Sequence, residues 1–360
     1  MKANTLERIL ADLVTFRTIS GEHQAAAAFL DYADDYLAQR GMIMNRVEFN
    51  GFPSLVATTR PTKTPKLLLQ AHIDVVSGPD SCFELCEKDG SFLGRGVFDM
   101  KFATAIFLKV VDELQDRLAD YDFGIMLTSD EEVGGKDGVK ALLDAGYGTD
   151  VCVLPDAGDN WQIETSYKGA WISHASTKGV AAHGSRPWEG DNAIDRLVDA
   201  LCEIRELFDG QNTDSATLSI NQISGGTVIN QVADKAQATL DIRFVSNNNL
   251  ERLKSGIGAI ADRYDVSFET VVEMMITHTD ITHPLVRSFL ETASRIRGKP
   301  IGQIRSLGSS DARFFAARGI PVILVRPDGG CAHADDEWIS KTGFEQYFQV
   351  VKAYVEKVAL

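Results

Sequence analysis

The strongest constraint on the fold is a repeated pairing of wholly apolar segments with amphipathic ones. The segments KLLLQAHIDVV, DFGIMLTS and DVCVLPD each hold an apolar run without polar alternation, which is typical of strands buried on both faces. Stretches with helical periodicity separate them, including one from about Lys101 to Leu118. Strands that alternate with helices predict an α/β fold with a doubly wound, mostly parallel, mixed sheet.

The pattern changes near Lys168 and returns near His283. Between these points, four half-exposed strand patterns surround two helical ones: WISHASTKGV, ATLSINQISGG, QATLDIRFV and VSFETVVEMM are the strands. This order predicts a small α+β domain of the split βαβ, or ferredoxin-like, type. We therefore predict that residues 1–167 and 279–360 form one α/β domain, and that residues 168–278 form a second domain inserted into it.

Charge and cysteine content restrict the class of partner and the compartment. The 360 residues carry a net charge of −15, which argues against binding to nucleic acid or to an anionic membrane surface. No apolar run approaches the roughly 18 residues that a membrane span needs. Five scattered cysteines without a CxxC pair, and acidic residues in the first helical pattern, predict a cytoplasmic protein with free thiols.

Polar residues that follow the apolar strands are the candidates for chemistry. Ligands of open α/β sheets collect outside the carboxyl ends of the strands. Imidazole or carboxylate side chains follow every strongly apolar strand, and another carboxylate lies in GRGVFDMK. These residues are His72, Asp74, Asp99, Glu131, Glu132, Asp156 and His333.

Their chemistry favours metal binding over a solvated acidic loop. Imidazole and carboxylate ligands suit Zn²⁺, and also Co²⁺ or Mn²⁺. The adjacent Glu131 and Glu132 repel each other unless a cation or a proton balances their charge. This number of candidate ligands exceeds the needs of one ion and suits two ions about 3.5–4 Å apart, bridged by a carboxylate and a water. Cys331 precedes His333 by two residues. It could bind a metal, but we expect a small buried thiol beside the site instead.

The order and spacing of these motifs resemble the M20 family of co-catalytic metallopeptidases and amidohydrolases. This family includes acetylornithine deacetylase, succinyl-diaminopimelate desuccinylase and glutamate carboxypeptidases. The matching segments are AHIDVV, GRGVFDMK, TSDEEVGG, GVAAHGSRP, GGTVIN and AHADDE. The resemblance implies that residues 1–167 and 279–360 form a catalytic domain. It also implies that residues 168–278 form a lid through which the chain makes a homodimer.

The resemblance also implies a set of metal ligands. His72 and Asp156 would bind one divalent ion, most simply Zn²⁺. Glu132 and His333 would bind a second. Asp99 would bridge the two ions, and the family often has a cis peptide directly after this residue.

Roles in catalysis and in substrate binding follow in the same way. Asp74 would hold the imidazole of His72, and Glu131 would be the general base. His183 would reach the active site of the partner subunit and stabilise the oxyanion, unless it is only an exposed loop histidine. Asn230 and Arg243 would hold the substrate, although Arg243 also fits a charge at a strand edge.

By this resemblance, the function is hydrolysis of a small amide. At the position of Asp156, M20 aminopeptidases and dipeptidases usually carry Asp, whereas deacylases and carboxypeptidases usually carry Glu. This contrast favours an exopeptidase or dipeptidase acting on short peptides. An N-acyl amino-acid deacylase is the alternative within the same chemistry, and a non-catalytic, metal-binding dimeric scaffold is the alternative outside it. RPDGG replaces the family's Gly-Pro-Gly turn, so Arg326 or Asp328 is expected to enter the pocket.

Overall fold

The computed structural model describes residues 5–208, 210, 212, 214–306 and 310–360. The chain divides into two compact units: Met1–Ser166 with His278–Leu360 is the first, and Tyr167–Thr277 is the second. Within the described residues, no helix is long and apolar enough to cross a membrane.

The helices and strands of the described residues alternate along most of the chain. In chain order the helices are α1 (Leu6–Val14), α2 (His23–Ala38), α3 (Lys101–Leu114), α4 (Ala141–Asp144), α5 (Ala193–Arg205), α6 (Asn247–Tyr264), α7 (Pro284–Arg297), α8 (Ala312–Ala316) and α9 (Lys341–Val358). The strands are β1 (Ile43–Phe49), β2 (Phe52–Thr58), β3 (Leu67–His72), β4 (Cys86–Lys88), β5 (Ser91–Leu93), β6 (Phe123–Thr128), β7 (Val151–Val153), β8 (Gln162–Tyr167), β9 (Gly169–Lys178), β10 (Thr217–Gly225), β11 (Lys235–Phe244), β12 (Ser267–Met274), β13 (Thr277–His278), β14 (Gly302–Ser306), β15 (Val322–Ile323), β16 (Gly329–Gly330) and β17 (Trp338–Ser340).

A six-stranded mixed sheet forms the centre of the first unit. Its strand order is β1-β2-β6-β3-β7-β15. The strands β6, β3, β7 and β15 run parallel to one another, and β2 and β1 add an antiparallel edge. The mixed α/β sheet predicted from the sequence is therefore confirmed.

The apolar runs of the central strands serve two hydrophobic cores, one on each face of the sheet. In β3, Leu67 and Leu69 pack into a core with α1, α2, α3, α7 and α9, whereas Leu68 packs into a core with α4 and α8. Alternate side chains of a strand point to opposite faces, so a strand between two layers needs apolar residues at every position. Each fully buried leucine contributes about 1.5–3 kcal/mol relative to exposure.

The carboxyl ends of the parallel strands place the polar residues at one edge of this sheet. Strand β3 ends at His72, and the parallel strands β6 and β7 end a few residues before Glu131 and Asp156. The loop after β15 carries Arg326. Parallel neighbours share a direction, so the loops after them meet at this edge.

The segment before α3 needs glycine. Gly96 has a φ of 83°, and a Cβ on this residue would lie 2.8 Å from Cδ of Lys101. Both the backbone conformation and the close approach exclude a side chain there. The peptide bond between Asp99 and Met100 is cis, as the sequence resemblance implies.

The second unit holds a four-stranded antiparallel sheet and two helices. Along the chain its elements follow as β9, α5, β10, β11, α6 and β12, and the strand order in the sheet is β10-β11-β9-β12. Alternate residues of β11 are buried with apolar residues of α5 and α6. Side-chain caps stabilise both helix starts: Asn192 accepts from the Ile194 N–H, and Ser246 from the Asn249 N–H.

Candidate functional site

His72 and two carboxylates form the first of two linked groups. The His72 side chain is only 2% exposed. Its Nδ1 lies 2.9 Å from the main-chain oxygen of Asp74, which accepts only, so Nδ1 carries the proton. The lone pair of Nε2 then faces Asp99 Oδ1 at 3.3 Å and Asp156 Oδ1 at 3.5 Å.

The second group shares Asp99 with the first. Nε2 of His333 lies 3.4 Å from Asp99 Oδ2 and 3.0 Å from Glu132 Oε1. The two oxygens of one carboxylate therefore face different groups, Oδ1 towards His72 and Oδ2 towards His333. In each group the three possible ligand atoms lie within 4.8 Å of one another.

The donor chemistry of both groups fits divalent cations. A neutral imidazole lone pair directed at two carboxylates is repulsive unless a cation or a proton lies between them. Nitrogen and carboxylate ligands without thiolate match the preferences of zinc, cobalt and manganese. The residues present therefore fit metal ions, and one carboxylate, Asp99, is placed to bind in both groups.

Crowding of carboxylates in this edge of the sheet shifts their pKa values. Burial raises the pKa of Glu132 to about 7 and that of Asp156 to about 6. Burial, and then the charge of Asp156, raise the pKa of Glu131 well above its ordinary value. The hydrogen bond to Asp99 raises the pKa of His333 to about 9. Without a cation, the folded chain therefore holds protons here near neutral pH.

These shifts predict that the metal-free chain loses stability as the pH rises from about 5 to about 9. Between 4.5 and about 7 the folded chain keeps a proton on Glu132 that the unfolded chain has lost, and His333 does the same between 6.5 and about 9. Stability falls with pH wherever the folded state binds more protons. Melting temperatures measured with a chelator across this range should decline.

Two variants test whether this cluster causes the decline in melting temperature. The Glu132→Gln variant should show a smaller decline, and Glu345→Gln, at an exposed glutamate of α9, should keep the wild-type decline. Added divalent metal should stabilise more at high pH than at low pH, because binding displaces protons. An equal decline in Glu132→Gln and wild type would contradict the assignment of these protons to the cluster.

The Asp74 carboxylate holds the turn that carries the two glutamates. Its Oδ1 accepts from the Glu131 N–H at 3.2 Å, and its Oδ2 accepts from the Glu132 N–H at 3.1 Å and from Ser20 Oγ at 2.9 Å. The imidazole of His72 is 3.6 Å from this carboxylate and is hydrogen-bonded to the main-chain oxygen of Asp74 instead. Asp74 thus contacts His72 through its main-chain oxygen and the turn with Glu131 and Glu132 through its carboxylate.

Of the two residues expected in the pocket from RPDGG, Arg326 reaches the ligand groups. Its Nη1 lies 3.8 Å from Asp99 Oδ1, and its Nε donates to Asp159 Oδ1 at 2.5 Å. Asp328 accepts a hydrogen bond from Trp161 Nε1 at 3.0 Å instead. Arg326 is 9% exposed and adds one positive charge beside the carboxylates.

The expectation that Cys331 is buried is wrong, because this side chain is exposed. Cys331 and His333 both have left-handed backbone conformations, with φ of 57° and 67°. They lie in a loop between the short antiparallel strands β16 and β17. This loop directs the His333 ring towards Asp99 and leaves the Cys331 thiol at the surface.

The second unit brings His183 and Asn230 together. The Gly184 N–H donates to the Asn230 oxygen at 2.7 Å, and residues 183 and 231 form an antiparallel bridge. The exposed His183 accepts the Ser185 N–H on Nδ1 at 3.2 Å. Because Nδ1 is an acceptor, a neutral imidazole carries its proton on Nε2, where it is available to a ligand.

Arg243 lies far from this pair. Arg243 is the residue before Phe244, at which β11 ends, whereas Asn230 precedes Lys235, at which the strand begins. Eight residues of strand at about 3.3 Å each separate Lys235 from Arg243 by about 26 Å. The Arg243 guanidinium binds Asp241 in two hydrogen bonds of 2.7 and 3.0 Å.

Two buried carboxyl groups near the site were not singled out from the sequence. Asp311 is 1% exposed, and neither of its carboxyl oxygens has a hydrogen-bond partner among the described residues. Burial raises its pKa to about 8. Glu337 is also 1% exposed and contacts the backbone before α3. The sequence signal for Glu337 was its place in AHADDE, where three acidic residues stand in a row.

The mixed α/β sheet, with imidazole and carboxylate groups gathered at the ends of its parallel strands, defines a metal-dependent hydrolase. The chain belongs to the peptidase family M20/M25/M40, whose model matches residues 68–357. The sequence resemblance to this family is therefore confirmed. Its members are metal-dependent, in agreement with the two candidate ligand groups.

The proteins that this chain resembles include a desuccinylase, a tripeptidase and a carboxypeptidase. A succinyl-diaminopimelate desuccinylase from Hahella chejuensis is 26% identical over 83% of this chain and 84% of its own length. The fold is similar to that of a tripeptidase from Staphylococcus aureus, with a TM-score of 0.79, 20% identity and coverage of 98% of this chain and 97% of the tripeptidase. An M20 family metallo-carboxypeptidase from Sulfolobus solfataricus has a TM-score of 0.77 and 16% identity, with 99% of each chain covered.

Proposed function

We propose that this chain is a dinuclear-metal exopeptidase or dipeptidase that hydrolyses an amide bond of short peptides. The observation that carries the proposal is the shared carboxylate: Asp99 turns one oxygen to His72 and the other to His333. A carboxylate in this position suits two ions bound side by side. We assign the ions as Zn²⁺, with Co²⁺ or Mn²⁺ as substitutes.

The ligand assignment follows the two groups. His72, Asp99 and Asp156 would hold one ion, and Asp99, Glu132 and His333 would hold the other. When bound, such ions lower the pKa of a water between them and polarise the scissile carbonyl.

Glu131 is the proposed general base. It stands in the same turn as the proposed ligand Glu132, and its main-chain N–H is held by Asp74. Burial and the neighbouring Asp156 raise its pKa in the metal-free chain. The positive charge of bound ions would lower this pKa and leave a carboxylate that can accept a proton. It would accept the proton of the attacking water and return it to the departing amine.

The second unit would complete the site from a partner subunit. The His183 Nε2–H is free to donate where negative charge develops on the carbonyl oxygen. Strand β11 spans about 26 Å from Lys235 to Arg243, and Asn230, which is next to His183, precedes the Lys235 end. In a homodimer formed through this unit, His183 with Asn230 would therefore serve one active site, and Arg243 the other.

Asp156 favours peptides over acyl amino acids as substrates, by analogy with M20 aminopeptidases and dipeptidases. The similar fold named as a tripeptidase agrees with this choice. The second candidate is an N-acyl amino-acid deacylase, which the desuccinylase relatives favour. The third, a non-catalytic scaffold, is disfavoured because the described residues include a full set of candidate ligands and a base.

A pooled substrate panel tests the choice. The zinc- or cobalt-loaded protein is incubated with dipeptides, tripeptides and N-acyl amino acids, and substrate loss is followed by mass spectrometry. We expect metal-dependent loss of peptides, and the surviving terminus assigns the end that is cut. Loss of acyl amino acids alone would transfer the chain to the deacylases. No loss in any class, with metal bound, would contradict both enzyme assignments.

A further inference from the structure

Glu337 is a buried carboxylate that holds the backbone around Asp99. Its Oε1 accepts from the Phe98 N–H at 2.8 Å and from the Asp99 N–H at 2.9 Å. Its Oε2 accepts from the Gly96 N–H at 3.0 Å and from Arg95 Nη1 at 3.1 Å. One side chain thus holds three backbone N–H groups of the segment before α3, those of Gly96, Phe98 and Asp99.

Arg95 extends the same contact to two further loops. This arginine is 2% exposed. Its Nη1 also donates to the Ala334 oxygen at 2.9 Å, next to His333, and its Nη2 donates to the Ser77 oxygen at 3.2 Å. Ser77 lies in the loop that follows His72, the last residue of β3. The ion pair therefore touches the three loops that carry His72, Asp99 and His333.

We propose that Glu337, paired with Arg95, is a positioning residue that sets the distance between Asp99 and His333 so that both ligand groups can share Asp99. Glu337 itself contacts the Asp99 N–H and is not among the candidate ligands found in the described residues. This inference rests on the proposed two-metal function.

Two physical arguments support a role beyond packing. Ligand atoms must be held to within about 0.5 Å for tight metal binding, and that accuracy depends on the residues behind them. A buried ion pair is a weak source of stability, because its desolvation cost offsets its attraction. The contacts of the Arg95–Glu337 pair instead join the backbones on which the ligands stand.

The variant Glu337→Gln isolates the carboxylate at constant size. All four partners of Glu337 are donors, so a glutamine must point its NH₂ group at two of them. Loss of partners behind the ligands typically weakens metal binding about 10–100-fold. We expect a drop of at least about 10-fold in the affinity of the more weakly held ion, measured by titration against a chromophoric chelator.

A matched control is Asp112→Asn, which breaks another partly buried ion pair of the same unit. Asp112 lies on helix α3 and accepts two hydrogen bonds from the Arg40 guanidinium, at 2.9 and 2.7 Å. Both variants should melt at lower temperature without metal. The rise in melting temperature on adding zinc should shrink only in Glu337→Gln, because this rise reports metal affinity. Glu337→Asp keeps the charge but is one methylene shorter, and it should be intermediate.

The outcomes separate this inference from the proposed function. A wild-type chain that binds fewer than two ions overturns the two-metal proposal and this inference with it. A wild type that binds two ions, with Glu337→Gln and Glu337→Asp binding them as tightly, overturns the inference alone. The inference is also overturned if the zinc-induced rise in melting temperature shrinks as much in Asp112→Asn as in Glu337→Gln. General destabilisation would then explain both variants.

Discussion

Glu131→Gln should lower kcat by about 10²–10⁴-fold while the protein keeps its metal. The glutamine has the same size but cannot accept the proton of the attacking water. The main-chain N–H of residue 131 can still donate to Asp74, so the turn and the neighbouring Glu132 should stay in place. The measurement is kcat on the best substrate of the panel, together with metal content by elemental analysis.

The adjacent residue provides the matched comparison. Glu132 stands in the same turn, and its Oε1 is 3.0 Å from His333 Nε2. Glu132→Gln should therefore lower metal content as well as kcat, and added metal should restore part of its activity. Glu131→Gln should not respond to added metal. Wild-type turnover in Glu131→Gln would remove the general-base role from this residue.

The central sheet was predictable because burial on both faces leaves a direct record in the sequence. Every position of β3 up to His72 is buried, and this burial requires the apolar run that the sequence shows there. The edge strand β1 was missed because its residues are half-exposed and its pattern, IMNRVEF, alternates weakly. Strands β4, β5, β16 and β17 were missed because two or three residues carry no periodicity.

The candidate ligands were predictable for a related reason. Parallel strands bring their carboxyl ends together, so His72, Glu132 and Asp156, which follow apolar strands, had to meet. Asp99 lies before α3 instead and was indicated by its motif, GRGVFDMK. His72, Asp99 and Asp156 do meet in one group, and Glu132 and His333 join Asp99 in the other. Their catalytic roles stay predictions until the variants are measured.

The atoms that make the contacts were not predictable. The sequence indicated that Asp74 stands beside His72, but the ring bonds the main-chain oxygen and the carboxylate bonds the next loop. The exposure of Cys331 follows from a loop backbone that no local pattern reports. The partners of Glu337 lie about 240 residues away along the chain, and only the fold brings them together.

Asp99→Asn should remove at least one of the two proposed ions and abolish measurable hydrolysis. Asp99 is the residue common to both groups, and a neutral amide offers one oxygen where the carboxylate offers two. His333→Ala, which disrupts only the second group, should retain the ion held by His72 and Asp156. The number of metal ions bound per chain after dialysis therefore ranks the variants. We expect two ions for the wild type and one for His333→Ala.

Asp159→Asn is the control for charge near the site. Asp159 accepts from Arg326 Nε, and Arg326 in turn lies 3.8 Å from Asp99, so this variant alters the surrounding charge without touching either ligand group. It should keep two ions. If Asp99→Asn also kept two ions, the shared position of its carboxylate would have no bearing on metal binding, and the bridging role would have to be given up.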